Sequence, residues 1–171
     1  MSKLVKQGTI SVICGVHSQI HTILVIVSWR KLYGKYPNFW QTGCIVLHDV
    51  GHWGLNYHDS VDEKNKHWIG GAKVAQKLFG QKGFDFIAGH DTHSGYPQSE
   101  LYKADKYSWY IAPYWWLYWN NIVEPQVKCG MKNHDAIVSF QKWVKHNIES
   151  GEYRNTHDAY IERQERMGIK L

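Results

Sequence analysis

Apolar side chains recur every three or four residues along almost the whole chain, and almost nowhere every second residue. Residues three and four apart share one face of a helix, whereas a half-buried strand needs alternation. Ile13, His17, Ile20, Leu24 and Val27 make one such face. The β-branched runs, including residues 23–27, are short and do not alternate, so strand signals are weak. The expected fold class is therefore all-α. At 171 residues the chain is long enough for one domain with a real core.

Punctuation residues divide the pattern into helices. The first is expected over 10–33, ended by Gly34 and Pro37. Asn38 suits the N-cap of a second over 39–50, with Gly51 in the left-handed position beyond its end. A loop over 51–61 leads to Asp62 as the cap of a third helix, which reaches residue 79 and stops at Gly80. A short helix over 84–89, a loop over 90–99 and a helix over 100–110 follow. Pro113 fits the first turn of the next helix, which ends near Glu124-Pro125. Two polar helices, 132–149 and 152–167, complete the chain. The organisation expected is one domain, with a core over about 10–124 and C-terminal helices over about 131–168.

Imidazoles are unevenly placed: eight of the eleven lie between His17 and His93. His48-Asp49, at the end of an apolar run, sets an imidazole beside a carboxylate. His17 lies upstream; His67, His90 and Asp105 lie downstream. Imidazoles and carboxylates distributed over successive helices are donors for a divalent ion, and metal-assisted hydrolysis is the chemistry they most readily support. Gly71, one turn after His67, would let another helix approach closely. Asp105, beside small Ala104 on a largely apolar helix face, is expected to be paired or ligating.

The net charge of +5 favours anionic ligands, but no Lys/Arg block is dense enough for a nucleic-acid arm, so no stable nucleic-acid partner is expected. Cys14, Cys44 and Cys129 are widely spaced and odd in number, which argues against a disulfide framework; Cys14 and Cys44 are expected to be buried thiols. The apolar stretch 10–27 contains His17, Gln19 and His21, which a membrane span would not carry at its centre unpartnered. With no signal-peptide pattern, the expectation is a cytoplasmic protein without a membrane span. Nine Trp and eleven Tyr are many for this length, and the segment 107–119 concentrates them. The segment reads as a core wall, a base-stacking surface, an interfacial membrane anchor or a subunit contact, and aromatics on all faces of one helix favour a homodimer.

These residues resemble the HD-domain superfamily of metal-dependent phosphohydrolases over about residues 14–105. Its pattern of a His, a His-Asp doublet and a later Asp matches His17, His48-Asp49 and Asp105. The additional His of two-metal members match His67 and His90. Leu47-His48-Asp49-Val50-Gly51-His52 resembles the His-Asp-x-Gly-His variant of some deoxynucleotide triphosphohydrolases. His90 to Pro97 is loosely similar to a cyclic-dinucleotide phosphodiesterase subgroup. The resemblance implies an HD-type helical bundle that hydrolyses a nucleotide or related small phosphate ester through a metal-activated water. His17, His48, Asp49 and Asp105 would hold one ion; Asp49 would bridge to a second, held by His67 and His90. One or two ions of Fe, Mn, Co, Ni or Zn suit His-rich ligation, with Mg open if only the four-ligand site fills. His21, one turn from His17, is the alternative ligand, and His17 is favoured because His17-Ser18 resembles the family's opening. Asp49, His52, His58 and His93 are the catalytic candidates; Lys103, Lys106 and Trp109 are the substrate-binding ones. An HD-type di-iron oxygenase, or a non-catalytic nucleotide-binding module, would use the same scaffold.

Overall fold

The computed structural model describes residues 6–55, 65–124 and 134–150. Eight α-helices and no strand form among the described residues: α1 Gln7–Cys14, α2 Gln19–Tyr33, α3 Phe39–Leu47, α4 His67–Phe79, α5 Gln81–Ala88, α6 Glu100–Ile111, α7 Tyr114–Val123 and α8 His134–Ser150. Short 3₁₀ turns at Val50–His52 and Thr92–Ser94 lie between them. The class is all-α, as the periodicity requires. The expected helix over 152–167 and the cap at Asp62 lie outside the described residues.

Several boundaries follow from local chemistry. Asn38 caps α3 reciprocally: its Oδ1 accepts the Gln41 N–H at 3.1 Å, and Gln41 Oε1 accepts the Asn38 N–H at 3.0 Å. Gly34 ends α2 in the left-handed region at φ 70°, donating its N–H to Arg30 O. Pro113 sits just before α7.

The helix expected over 10–33 is instead two helices, whose axes differ by 58°. The cause is remote in sequence. Glu124, fully buried at the end of α7, accepts the Val16 N–H at 2.6 Å, which takes that N–H away from helical pairing. A Cβ on Gly15 would collide with the same carboxylate. Ser18 then restarts the helix from an extended conformation. Cys14, expected inside, is exposed at this break; Cys44 is buried as expected, and burial pushes its thiol up to about 11. Among the described residues no single helix is long and apolar enough to cross a membrane, and α1 and α2 reach that length only together, across their bend.

Two apolar cores hold the helices. The larger joins α2 to α6 through Val25, Trp29, Ile45, Phe86, Ile87 and Leu101, with Ala72, Ala75 and Ala104 allowing close approach. The smaller packs Trp116 and Leu117 of α7 against Ile137, Phe140 and Val144 of α8. Between α3 and α4 the backbones nearly touch. Gly51 does not adopt the left-handed conformation expected of it. Its missing side chain makes room instead for the His67 carbonyl, and Gly71 lies against the carbonyls of Leu47 and His48. The first turn of α4 is thereby pressed onto the His48-Asp49 segment.

This contact reverses the usual effect of Gly-to-Ala in a helix. Propensity alone makes Ala more favourable by about 1 kcal/mol. Packing makes Gly71→Ala destabilising by about 1–3 kcal/mol, because the methyl meets backbone that cannot yield cheaply. Urea unfolding decides between the two signs.

Candidate metal centre

Two helix ends build the centre in the same way. The last carbonyls of a helix lack partners within it. At the end of α3, His48 Nδ1–H donates to Ile45 O at 2.6 Å; at the end of α5, His90 Nδ1–H donates to Ile87 O. Each bond spans three residues and turns Nε2 inward. Both segments read Ile-x-x-His-Asp in sequence: Ile45 to Asp49 and Ile87 to Asp91. His21 on α2 is held similarly. Ser108 Oγ–H donates to Asp105 O at 2.6 Å, so its oxygen faces His21 Nδ1 at 3.3 Å as acceptor. Hydrogen bonds that hold the outer nitrogen in this way fix the tautomer of a ligating imidazole.

The inner nitrogens meet two carboxylates. His21 Nε2 lies 2.9 Å from Asp105 Oδ1 and 3.3 Å from Asp49 Oδ2. His48 Nε2 lies 3.1 Å from Asp49 Oδ2 and 3.9 Å from Asp105 Oδ1. The other Asp49 oxygen, Oδ1, lies 3.6 Å from His52 Nε2 and 4.0 Å from His90 Nε2. His67 Nε2 is 3.1 Å from His90 Nε2, and its Nδ1 is 3.3 Å from Asp91 Oδ2. The rings of His17, His52 and His67 stack in a row, with centroids 3.7 and 4.1 Å apart. Three overlapping sets, each sharing Asp49, bring their donor atoms within 4.8 Å of one another: His21 with His48, His67 with His90, and His17 with His52.

Charge compensates burial at each carboxylate. Burial opposes ionisation of Asp49, but His48 and His17 outweigh it and hold the carboxyl well below its ordinary range. For Asp105, burial is likewise outweighed, mainly by Lys106, whose Nζ is 2.8 Å from Oδ2, and by His21. Burial disfavours charge on His48, yet Asp49 and Asp105 raise its pKa to about 10. His90 goes the other way: burial and the neighbouring His48 lower it to about 4, leaving a neutral imidazole. Burial and His52 lower His17 as well. A proton and a metal ion compete for the same lone pair on His48.

The residues expected from the sequence are sorted as follows. His48, Asp49, His67, His90 and Asp105 converge. Beside Asp105 stands His21, where His17 had been favoured. The break before α2 removes His17 from that helix and sets it beside His52, so the two imidazoles do not share a helical face. His52, one of the catalytic candidates, points at Asp49 within the cluster. Lys106 engages Asp105 and lies over the Tyr102 ring. Lys103 is exposed, and so is His93, on the turn after His90. Trp109 packs against His21, Trp116 and Phe140, in the wall behind the cluster. His58 lies outside the described residues. Asp91 was missed, although its signal was present: it repeats the His-Asp doublet two helices later. Ser108 and Ser11, the latter 2.6 Å from His17 Nδ1, carried no comparable signal.

No family model, curated protein or solved structure matches the chain. The cluster is thus a helical, buried His/Asp arrangement of metal-ligating composition, compatible with an HD domain.

Asp91 faces the centre through His67, whose Nδ1 lies 3.3 Å from its Oδ2. Asp91→Asn is expected to weaken divalent-ion affinity by roughly 10–100-fold with helicity unchanged, as read by calorimetric titration and circular dichroism. For the first set of ligands, His21→Ala is expected to deplete bound metal more than His17→Ala. Elemental analysis of the two purified variants checks the ranking.

Proposed function

We propose that the chain is a metal-dependent phosphohydrolase of HD type, acting on a nucleotide or related small phosphate ester. One observation carries the metal part of this reading. His48 Nε2 and Asp49 Oδ2 are buried, face each other at 3.1 Å and have no hydrogen-bond partner among the described residues. Burying polar atoms in that state costs several kcal/mol unless a proton on the imidazole or a bound cation compensates them. The donor set fits one: His21, His48, Asp49 and Asp105 offer two nitrogens and two carboxylates, while Asp49 with His67, His90 and His52 offers a nitrogen-rich set. The second composition suits Fe, Mn, Co, Ni or Zn better than Mg.

A divalent ion held there supplies Lewis acidity toward a phosphoryl oxygen and toward a water. The chain's own residues do the rest. Asp49 presents one oxygen to each imidazole set and is suited to bridge. The carbonyls of Ile45 and Ile87 keep His48 and His90 aimed inward. Lys106 offsets the charge of Asp105, so that two carboxylates can stay ionised close together. The exposed His93 is positioned by its turn, where Asp91 Oδ1 accepts its backbone N–H at 2.8 Å, and is the candidate to contact a phosphate or leaving group. The net charge of +5 supports an anionic substrate. Trp109 supports a nucleotide less than its sequence position suggests, because its ring packs into the wall behind His21.

A panel of nucleotides and phosphate esters, assayed with protein loaded with Mn, Fe, Co, Ni or Mg, tests the proposal. Phosphate release from at least one member is expected, abolished by chelation and by Asp49→Ala with helicity retained. Turnover that survives both treatments would sink it.

A further inference from the structure

We propose that this chain forms a two-fold homodimer through the apolar face that α2 and α7 present beside α1. The face is recognisable because these helices are apolar on the outside as well as the inside. α2 buries Val25 and Trp29 with His21 and Ser28, yet exposes Ile20, Ile23 and Val27. α7 buries Trp116 and Leu117 with Asn120, yet exposes Trp115, Tyr118, Trp119 and Ile122. α1 buries Gln7 and Ser11 but exposes Ile13. A helix on the surface of a lone globule turns a polar face to solvent. The inward polar groups are explained by the His/Asp centre and the Glu124 clamp; among the described residues nothing covers the outward apolar ones.

The exposed stripes have helical spacing and flank one groove of about 630 Å³ lined by Ile13, Ile20, Trp115, Tyr118, Trp119 and Ile122. Ile13, Ile23, Trp115 and Ile122 are each 59–61% exposed. With Tyr118 and Trp119 they offer on the order of 800 Å², what one partner contributes to a stable interface. A ridge such as Trp115–Ile122 beside a groove is self-complementary: the ridge of each copy enters the groove of the other, as an isologous contact requires.

Charge and hydrogen bonding select a second copy over a lipid surface. Residues 7–29 and 107–123 contain no Asp, Glu, Lys or Arg. Interfacial membrane helices carry basic residues along their polar flank; here α2 has them only in its last turn, as Arg30 and Lys31, and α7 has none. A charge-free face lets two chains of net charge +5 meet without like charges at the contact. Trp119 also donates its indole N–H to Cys14 O at 2.8 Å, so the polar end of this ring is satisfied within the fold rather than held for a headgroup. The inference is independent of the metal reading.

Sedimentation velocity on the full chain across the micromolar range tests it. The expected species has twice the 20.0 kDa chain mass. Trp115→Glu and Ile122→Lys, both at exposed positions, are expected to raise the dissociation constant by roughly 100-fold or more. Cys14, exposed beside the groove, supplies a second readout through maleimide labelling followed by peptide mass analysis. In the native chain its labelling should slow as concentration rises, and this measurement stands even if a variant fails to fold. A single-chain mass with concentration-independent Cys14 labelling overturns the proposal, as do folded variants that remain dimeric. Monomeric native protein that floats with phosphatidylcholine/phosphatidylglycerol vesicles overturns it too, and assigns the face to lipid.

Discussion

A single buried carboxylate, that of Asp49, joins every part of the candidate centre. Its Oδ2 faces His21 and His48; its Oδ1 faces His52 and His90. A charge in that position is tolerable only because imidazoles surround it on both sides. Those imidazoles come from α2, from the segment following α3, and from the second residue after α5. Moving any one of these elements would leave a carboxylate oxygen or a ring nitrogen without compensation. The centre therefore constrains the helices as much as the helices define the centre.

The means of delivery is economical in chemical terms. Helix ends already carry unsatisfied carbonyls, and at α3 and α5 these carbonyls hold the outer nitrogens of His48 and His90. The same bonds that complete the helix ends aim the inner nitrogens. The close approach of α4, made possible by Gly51, Gly70 and Gly71, then places His67 opposite His90. Glu124 performs the corresponding task on the other side: its hold on Val16 breaks the helical path between Cys14 and Gln19 and turns His17 toward His52.

Much of this was legible in the chain. The period of apolar residues identified helices, because only a helix brings residues three and four apart onto one face. Asn38 with Gln41 three positions later, Gly34, and Pro113 each act through local backbone chemistry, so the boundaries they mark need no distant partner. The His48-Asp49 doublet, with His67, His90 and Asp105, named most of the polar cluster. The choice between His17 and His21 was not legible, since both fit a continuous helix over 10–33, and that helix is interrupted by a carboxylate 108 residues away. Gly51 was assigned a backbone role for the same kind of reason: its true constraint is the His67 carbonyl pressed against it, which no nearby residue announces. The exposure of Cys14 follows from the same break.

Local sequence determined which segments are helical, where several of them start and stop, and that imidazoles and carboxylates would be concentrated in one half of the chain. Those outcomes depend on backbone hydrogen bonding and side-chain periodicity over a few residues. Only the tertiary structure decided which imidazole meets which carboxylate, which glycine is a contact and which a turn, and that α2 and α7 carry apolar residues outward as well as inward. Each of these depends on where a distant backbone passes, and ångström-scale displacements there decide whether two buried polar groups compensate each other or stand alone.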